Sequence, residues 1–344
     1  MTQTSGGEVR RLVSAEVIAE IGPIEGADAI ERARVRGWDV VVKKGEMAVG
    51  EEVVYFEIDS ALPLSDDRFA FLEPRGAKTL GDGSKVHVLK TAKLRGQYSQ
   101  GLVLPLAAFP DLAGVDSGGL AEALGVVKYE PPIPTSLSGQ VRGVFPAHLV
   151  KKTDAERVQN LTEVYDRLLA EGSWFATEKI DGSSVTYVVT GDAEDPIRIC
   201  SRNWELEPKP ELTGMKIAQR YDLAALPQGT IVQGELYGEG IQANPLRVKG
   251  VALAVFGVFR DGAAVPRDEW PERLAALSAP VLDWEVPRTV REAVDQVDGM
   301  TSVIAPGRKA EGVVWHERSG KSFAELDGRS CWKAISNRYL MKNG

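Results

Sequence analysis

Between residues 12 and 106 the apolar positions fall in short, β-branched runs: Val13 to Ile21, Trp38 to Lys43, Glu52 to Ile58, Val86 to Leu89 and Leu102 to Leu104. Gly, Pro and Asp punctuate them, so they predict short strands of a small barrel, and periodicity alone does not say which barrel. Residues 127–150 carry Pro131, Pro132, Pro134 and Pro146 without a sustained helical period, and read as a connector to a second domain. The expected domains are 1–126 and 127–344. Past the connector, Thr153 is expected to open a helix. Glu156 would complete its capping box, and Val158, Leu161, Tyr165 and Leu168 form one apolar stripe. Strand-like runs then alternate with loops, and a further helix is expected around Arg267 to Leu277. The pattern predicts an α+β chain whose second domain is built on antiparallel sheets.

Within that second domain, Thr177-Glu178-Lys179-Ile180-Asp181-Gly182-Ser183-Ser184 puts a lysine in a short turn between two strand-like runs, Trp174 to Thr177 and Val185 to Thr190. A lysine held there is a candidate covalent nucleophile. It would work only as the neutral amine, so neighbouring positive charge or desolvation is expected to depress its pKa. Lys-x-Asp-Gly by itself is a weak signal and fits an ordinary hairpin turn. An ordered series of downstream motifs strengthens it: Ser201-Arg202-Asn203, Gly234-Glu235-Leu236-Tyr237-Gly238, Val255-Phe256-Gly257-Val258-Phe259, Glu311-Gly312-Val313-Val314 and Trp332-Lys333-Ala334-Ile335-Ser336-Asn337.

This series resembles the nucleotidyltransferase motifs of the polynucleotide ligase and messenger-RNA capping superfamily. GELYGEGIQAN (Gly234 to Asn244) and KAISNRYL (Lys333 to Leu340) look most like nick-sealing RNA ligases. YFEIDSALP (Tyr55 to Pro63), LRGQYSQGLVLPL (Leu94 to Leu106) and KTDAERVQN (Lys152 to Asn160) resemble the bacterial RNA ligase subfamily first recognised in Deinococcus, which carries its extra domain at the N-terminus. The resemblance implies an N-terminal oligonucleotide-binding (OB) barrel followed by an ATP-grasp-like ligase adenylation domain. Only Ala334–Gly344 follows Lys333, so the accessory module is expected at the N-terminal end rather than after the last motif, as in DNA ligases and capping enzymes.

The resemblance also implies roles. Lys179 would attack the α-phosphate of ATP, form a lysyl-adenylate and expel pyrophosphate. AMP would pass to the 5′-phosphate of an RNA end, and a 3′-hydroxyl would displace it at a nick in an RNA-containing duplex, as in RNA repair. Phosphoryl transfer calls for fixed cations and a divalent metal, Mg2+ or Mn2+. Glu235 and Glu311 would hold that metal or the AMP ribose, while Lys333 and Arg202 would touch phosphate and keep Lys179 neutral. Phe256 would stack on adenine, Glu178 would accept from its amino group, and Ile180, Asp181 and Gly182 would complete the nucleotide pocket. Two departures stand out. Lys333 lacks a second lysine two residues away, so Arg308, Lys309 or Lys321 are candidates to compensate, and Gly257 stands where related enzymes often carry Asp. A DNA ligase, another adenylyltransferase, or a non-catalytic nucleic-acid-binding protein with a relict nucleotide pocket are the competing readings.

Composition changes this picture little. The chain of 344 residues, 43% apolar, can bury two cores. It shows neither a membrane-spanning apolar run nor a signal peptide, which leads to the expectation of a cytoplasmic protein without a membrane or protein partner. Cys200 and Cys331 are far apart and form no zinc-ligand spacing with the three histidines. A net charge of −8 argues against a polyanionic partner, but the charge is uneven. Residues 307–344 carry eight Lys or Arg against four acids, and residues 261–300 carry nine acids against four arginines. Lys85, His87, Lys90, Lys93 and Arg95 form a second basic stretch. With Tyr98, the last three suit gripping a nucleic-acid backbone and stacking a base.

Overall fold

A computed structural model describes residues 11–130 and 139–343. It divides into two compact units, Met1–Pro132 with Leu340–Gly344, and Ile133–Tyr339. Pro131, Pro132 and Pro134 of the expected connector lie outside the described residues. The flanks of that connector are structured: Val127–Lys128 pairs with Ser60 and Ala61 of the first unit, and Val141–Val144 pairs with Trp204–Leu206 of the second.

The first unit is an all-antiparallel assembly of short strands. Glu52–Phe56 is its centre, paired with Val13–Val17 on one side and Leu102–Pro105 on the other. Side chains alternate across a strand, and here both faces are covered. Val53 and Tyr55 pack with Trp38, Val40 and Val103, whereas Val54 and Phe56 pack with Leu62, Phe69 and Phe109. Burial on both faces explains why Glu52 to Ile58 reads as a continuous apolar run rather than an alternating one. The run read as Val13 to Ile21 is two strands, because the chain leaves one pairing at Val17 and enters another at Glu20, against Ile30–Val35. Ala92–Leu94 and Gln97–Ser99 form a separate exposed hairpin.

The second unit contains two sheets. One has seven antiparallel strands in the order Val141–Val144, Trp204–Leu206, Ile197–Cys200, Ser183–Val189, Thr230–Gly238, Val251–Arg260 and Ala263–Ala264. The other has five, in the order Glu156–Arg157, Cys331–Ile335, Gly312–Glu317, Trp174–Lys179 and Val281–Leu282, with the first pair parallel. Helix Thr213–Arg220 covers the first core through Met215, Ile217 and Ala218. Trp174, Trp315 and Trp332 fill the second, with the last two rings stacked at 5.6 Å. The segment 277–282 joins the sheets: Leu277 and Ala279 hydrogen-bond to Val255, while Val281–Leu282 pairs with Ala176 and Thr177.

Three local expectations are corrected. No helix opens at Thr153. Glu156–Arg157 is a short strand, Val158–Leu161 a 3-10 turn, and the α-helix is Tyr165–Glu171. The apolar stripe is nonetheless buried, since Val158, Leu161, Tyr165 and Leu168 all lie in the second core. Edge pairing with Cys331–Ile335 overrides the capping box, and Glu156 instead accepts from Asn160. Arg267 to Leu277 forms only a 3-10 turn and a four-residue helix, Glu272–Ala275, interrupted by Pro271. Finally, the runs around Lys179 are not a hairpin, because Trp174–Lys179 and Ser183–Val189 belong to different sheets.

Candidate active site

Because the chain changes sheets between Lys179 and Ser183, the lysine ends its strand where the two sheets meet. Gly182 permits that crossing. A Cβ there would lie 2.1 Å from the carbonyl oxygen of Leu236, so the close approach this glycine allows is to the strand Thr230–Gly238. The same contact brings Glu235 beside Lys179. On the other sheet Lys179 stands opposite Gly312, which fixes Glu311 next to it. Gly312 is also sterically required, since a Cβ would sit 2.2 Å from the carbonyl oxygen of Ala334.

Lys179 Nζ donates to Glu311 Oε2 at 2.6 Å. Burial alone would lower the lysine pKa, but Glu311, Glu235 and Asp181 outweigh it and hold the amine above its ordinary value. The expectation of a lysine kept neutral by cations is therefore corrected: in the protein alone its neighbours are carboxylates, and it is an ammonium. Glu235 feels the opposite pressure. Burial pushes its carboxyl up to about 8, with Lys179 opposing and Glu311 and Asp181 adding to the rise. Asp181 is fixed by Tyr339, whose hydroxyl donates to Oδ2 at 2.5 Å.

Two of the expected phosphate cations meet on one carboxylate, Asp154. Arg202, in the turn after Ile197–Cys200, donates through Nη2 to Asp154 Oδ2 at 2.5 Å. Lys333 Nζ is 4.0 Å from Asp154 Oδ1. Register places Thr177, Val314, Lys333 and Arg157 in one row across four strands. Directly paired residues share a face, and Lys179, two residues from Thr177, shares it too. Arg157 is thus a buried cation beside Lys333. Of the candidates to replace a second lysine, Lys309 Nζ donates to the Gly299 carbonyl at 2.6 Å and Lys321 pairs with Glu171 at 3.1 Å.

Beside the lysine is a small apolar cluster. Ile180, Leu246, Ala254 and Ala279 are buried, and Phe256, Tyr237, Val248 and Ile304 pack against them while partly exposed. Phe256 reaches it because it is the extra residue of a β-bulge: Gln233 pairs with Gly257 and Gly234 with Val255, leaving Phe256 unpaired. Bulges re-aim side chains in this way. A Cβ at Gly257 would lie 2.9 Å from the Phe259 ring, so a side chain there would need that ring to shift. Glu178 Oε2 accepts from the Val303 amide at 2.7 Å, and its Oε1 is buried without a hydrogen-bond partner. Its charge reaches Tyr237, whose phenol is pushed upward first by burial and then by Tyr221 and Glu178.

Sequence alone assigns no role to Asp154, Arg157, Tyr339 or Leu246. A signal is present for three of them, since the first two lie in KTDAERVQN and Tyr339 in KAISNRYL, but sequence spacing does not reveal a contact across such separations. Cys200 and Cys331 are free thiols, the first buried.

A lysine flanked by carboxylates at the junction of two sheets, next to an apolar cluster and to Arg202 and Lys333 gathered on Asp154, accords with a covalent nucleotidyltransferase, here with an OB-fold domain at its N-terminus. Comparison with known proteins gives the family. An OB-fold domain model matches residues 12–106, and an RNA ligase model matches residues 172–335. The structure of Naegleria gruberi RNA ligase with PPi is 37% identical, covers 97% of this chain and 99% of that one, and superposes with a TM-score of 0.82. A lysine-to-methionine variant of that enzyme with AMP and Mn is 36% identical, with the same coverage and a TM-score of 0.84. A lysine-to-alanine variant with ATP and Mn is 36% identical over 96% of this chain and 99% of that one, with a TM-score of 0.83. A search of curated proteins gives no match. The chain belongs to the RNA ligase family, and it is an ATP-dependent ligase of the covalent nucleotidyltransferase class.

Proposed function

We propose that this protein seals 3′-hydroxyl/5′-phosphate breaks in RNA-containing duplexes, with Lys179 as the nucleophile. The observation that carries the proposal is the convergence of Glu235 and Glu311 on Lys179 beside the apolar cluster that includes Phe256. In the first step the Lys179 amine, having lost its proton, bonds to the α-phosphorus of ATP, and the bond to pyrophosphate breaks. In the second, an oxygen of the RNA 5′-phosphate attacks that phosphorus and Lys179 leaves. In the third, the 3′-hydroxyl attacks the 5′-phosphorus, a phosphodiester forms and AMP departs.

In this reading adenine lies against the apolar cluster, with Phe256 against its face and the orphan Glu178 Oε1 as acceptor for its amino group. Arg202, Lys333 and Arg157 supply positive charge for the phosphates. A hard divalent cation fits the carboxylate pair Glu235 and Glu311. Among the described residues no group of three or more His, Cys, Asp and Glu forms a cage, and Mg2+ is ordinarily held by one or two carboxylates plus substrate phosphate. When bound it would offset negative charge at the phosphate and weaken the hold of the carboxylates on the lysine proton. Glu235 must be ionised for that role, so activity is expected to rise with pH, and at lower pH as the metal concentration is raised.

Among the described residues no helix is long and apolar enough to cross a membrane. We place the protein in the cytoplasm, where ATP is supplied. The test is to incubate the chain with α-labelled ATP and magnesium and then denature it. Retained label that disappears in Lys179→Ala supports the reading, and an unlabelled wild-type chain overturns it. Nicked duplexes with RNA or DNA on the 3′-hydroxyl side then separate RNA repair from DNA ligation.

A further inference from the structure

The irregular segment 151–155 is tied to both sheets of the second unit. Lys152 Nζ donates to Asn203 Oδ1 at 3.0 Å, and the hydroxyls of Thr153 and Ser184 lie 2.7 Å apart. The main-chain oxygens of Lys151 and Lys152 accept from Gln233 Nε2 at 2.8 Å and Arg329 Nε at 3.2 Å. Asp154 sits on this anchored segment, and its two oxygens face different cations: Oδ2 faces Arg202 from the seven-stranded sheet, and Oδ1 faces Lys333 from the five-stranded sheet. One carboxylate therefore bridges the two cations assigned to phosphate.

We propose that Asp154 is a surrogate anion: it holds Arg202 and Lys333 converged in the nucleotide-free protein and gives them up to phosphate oxygens when a nucleotide binds. The inference rests on the adenylylation reading above. Three observations support exchange over a fixed structural bridge. First, three cations of the site already face acids, Lys179 on Glu311 and Arg202 and Lys333 on Asp154, so a polyphosphate must compete for cations already engaged. Second, Asp154 can withdraw: it lies outside any strand or helix with its side chain 26% exposed, so its released carboxylate is rehydrated, whereas Glu311, at 15%, is held by Lys179, Asp181 by Tyr339, and Glu235 stands in the middle of a strand. Third, Arg202 is on a turn with its side chain 48% exposed, able to follow a phosphate. Without an anion between them, Arg202, Lys333 and Arg157 would repel one another, and either the carboxylate or a phosphate group offsets that repulsion, so the two compete for one place.

The test is a calorimetric titration of inorganic pyrophosphate into the full chain. Asp154→Asn keeps the shape and removes the charge. It is expected to bind pyrophosphate about five-fold more tightly, the size expected from releasing two partly exposed ion pairs. Asp154→Ser should show the same gain, so a folding defect in one variant leaves the other informative, and Asp154→Glu should return affinity toward wild type. In an Arg202→Ala background the gain from Asp154→Asn should fall by half or more, because one partner of the bridge is already gone. In the labelling assay the same variants should lower KM for ATP without raising kcat. Unchanged or weaker pyrophosphate binding in both neutral variants would mean that Asp154 is a fixed buttress and would overturn the proposal. Failure of the adenylylation reading is seen separately, as an unlabelled wild-type chain.

Discussion

Two lysines of this molecule, one in each unit, have ordinary partners and different physics. Lys93, on the exposed hairpin Ala92–Leu94/Gln97–Ser99, lies with its ammonium 4.7 Å from the Tyr98 ring centre. Lys179 lies 2.6 Å from Glu311 at the junction of two sheets. Water screens the first contact, so it is weak and adaptable. Around the second, water is only partly excluded, with the Lys179 side chain 25% exposed, and each nearby charge moves the ionisation of its neighbours. Partial desolvation, more than residue type, separates a surface contact from a reactive group.

The largest expected effect sharpens that contrast. Lys179→Ala should eliminate denaturation-resistant label from α-labelled ATP, while Lys93→Ala should label like wild type. Equal labelling of the two variants would erase the distinction. Next come the carboxylates. Glu311→Gln and Glu235→Gln are each expected to slow lysyl-AMP formation by about a hundred-fold or more, as when a preorganised charge is removed from a buried site. Single-turnover labelling across a pH series reads both, and in Glu235→Gln the rise with pH should flatten.

Stability should move the other way for Glu235. Its folded-state pKa of about 8 lies above the usual carboxylate value of 4.5, so between these limits the native state binds more protons than the unfolded one. The wild type therefore loses stability as pH rises from 4.5 through 8. Glu235→Gln should lack that decline and melt at the higher temperature above pH 8 in metal-free buffer. A parallel decline in both proteins would show that the burden lies elsewhere.

Smaller effects belong to the apolar cluster and the hairpin. Phe256→Ala should raise KM for ATP by about three- to ten-fold, the range of one aromatic stacking contact, with a lesser change in kcat. The double variant Lys93→Ala with Tyr98→Ala should leave labelling intact, weaken RNA binding by about ten-fold and flatten its dependence on salt. A hairpin variant that bound RNA as wild type, with the same salt slope, would remove the N-terminal patch from consideration.

Much of the fold was legible because short β-branched runs state their periodicity locally. Glu52 to Ile58 and Trp38 to Lys43 became strands within a residue or two. Thr153–Glu156 misled because its capping-box pattern is local, while its actual partner, the strand Cys331–Ile335, is far along the chain. In the site, Lys179, Glu235, Glu311 and Phe256 could be named from ordered motifs. The identity of their neighbours could not. Arg202 and Lys333, expected to touch phosphate, are joined through Asp154, a residue whose motif is visible in the sequence and whose contact is not.

The linear order of residues was enough to determine the chemical groups present, the two-domain α+β architecture and the family, since these depend on local pattern and motif succession. Tertiary structure alone decided the charge state of Lys179, the burden on Glu235, the aim of Phe256 from its bulge and the bridge through Asp154. Those depend on distance and water exclusion between segments up to more than a hundred residues apart, and a Coulomb interaction is set by separation in space and local dielectric, neither of which is written in sequence order.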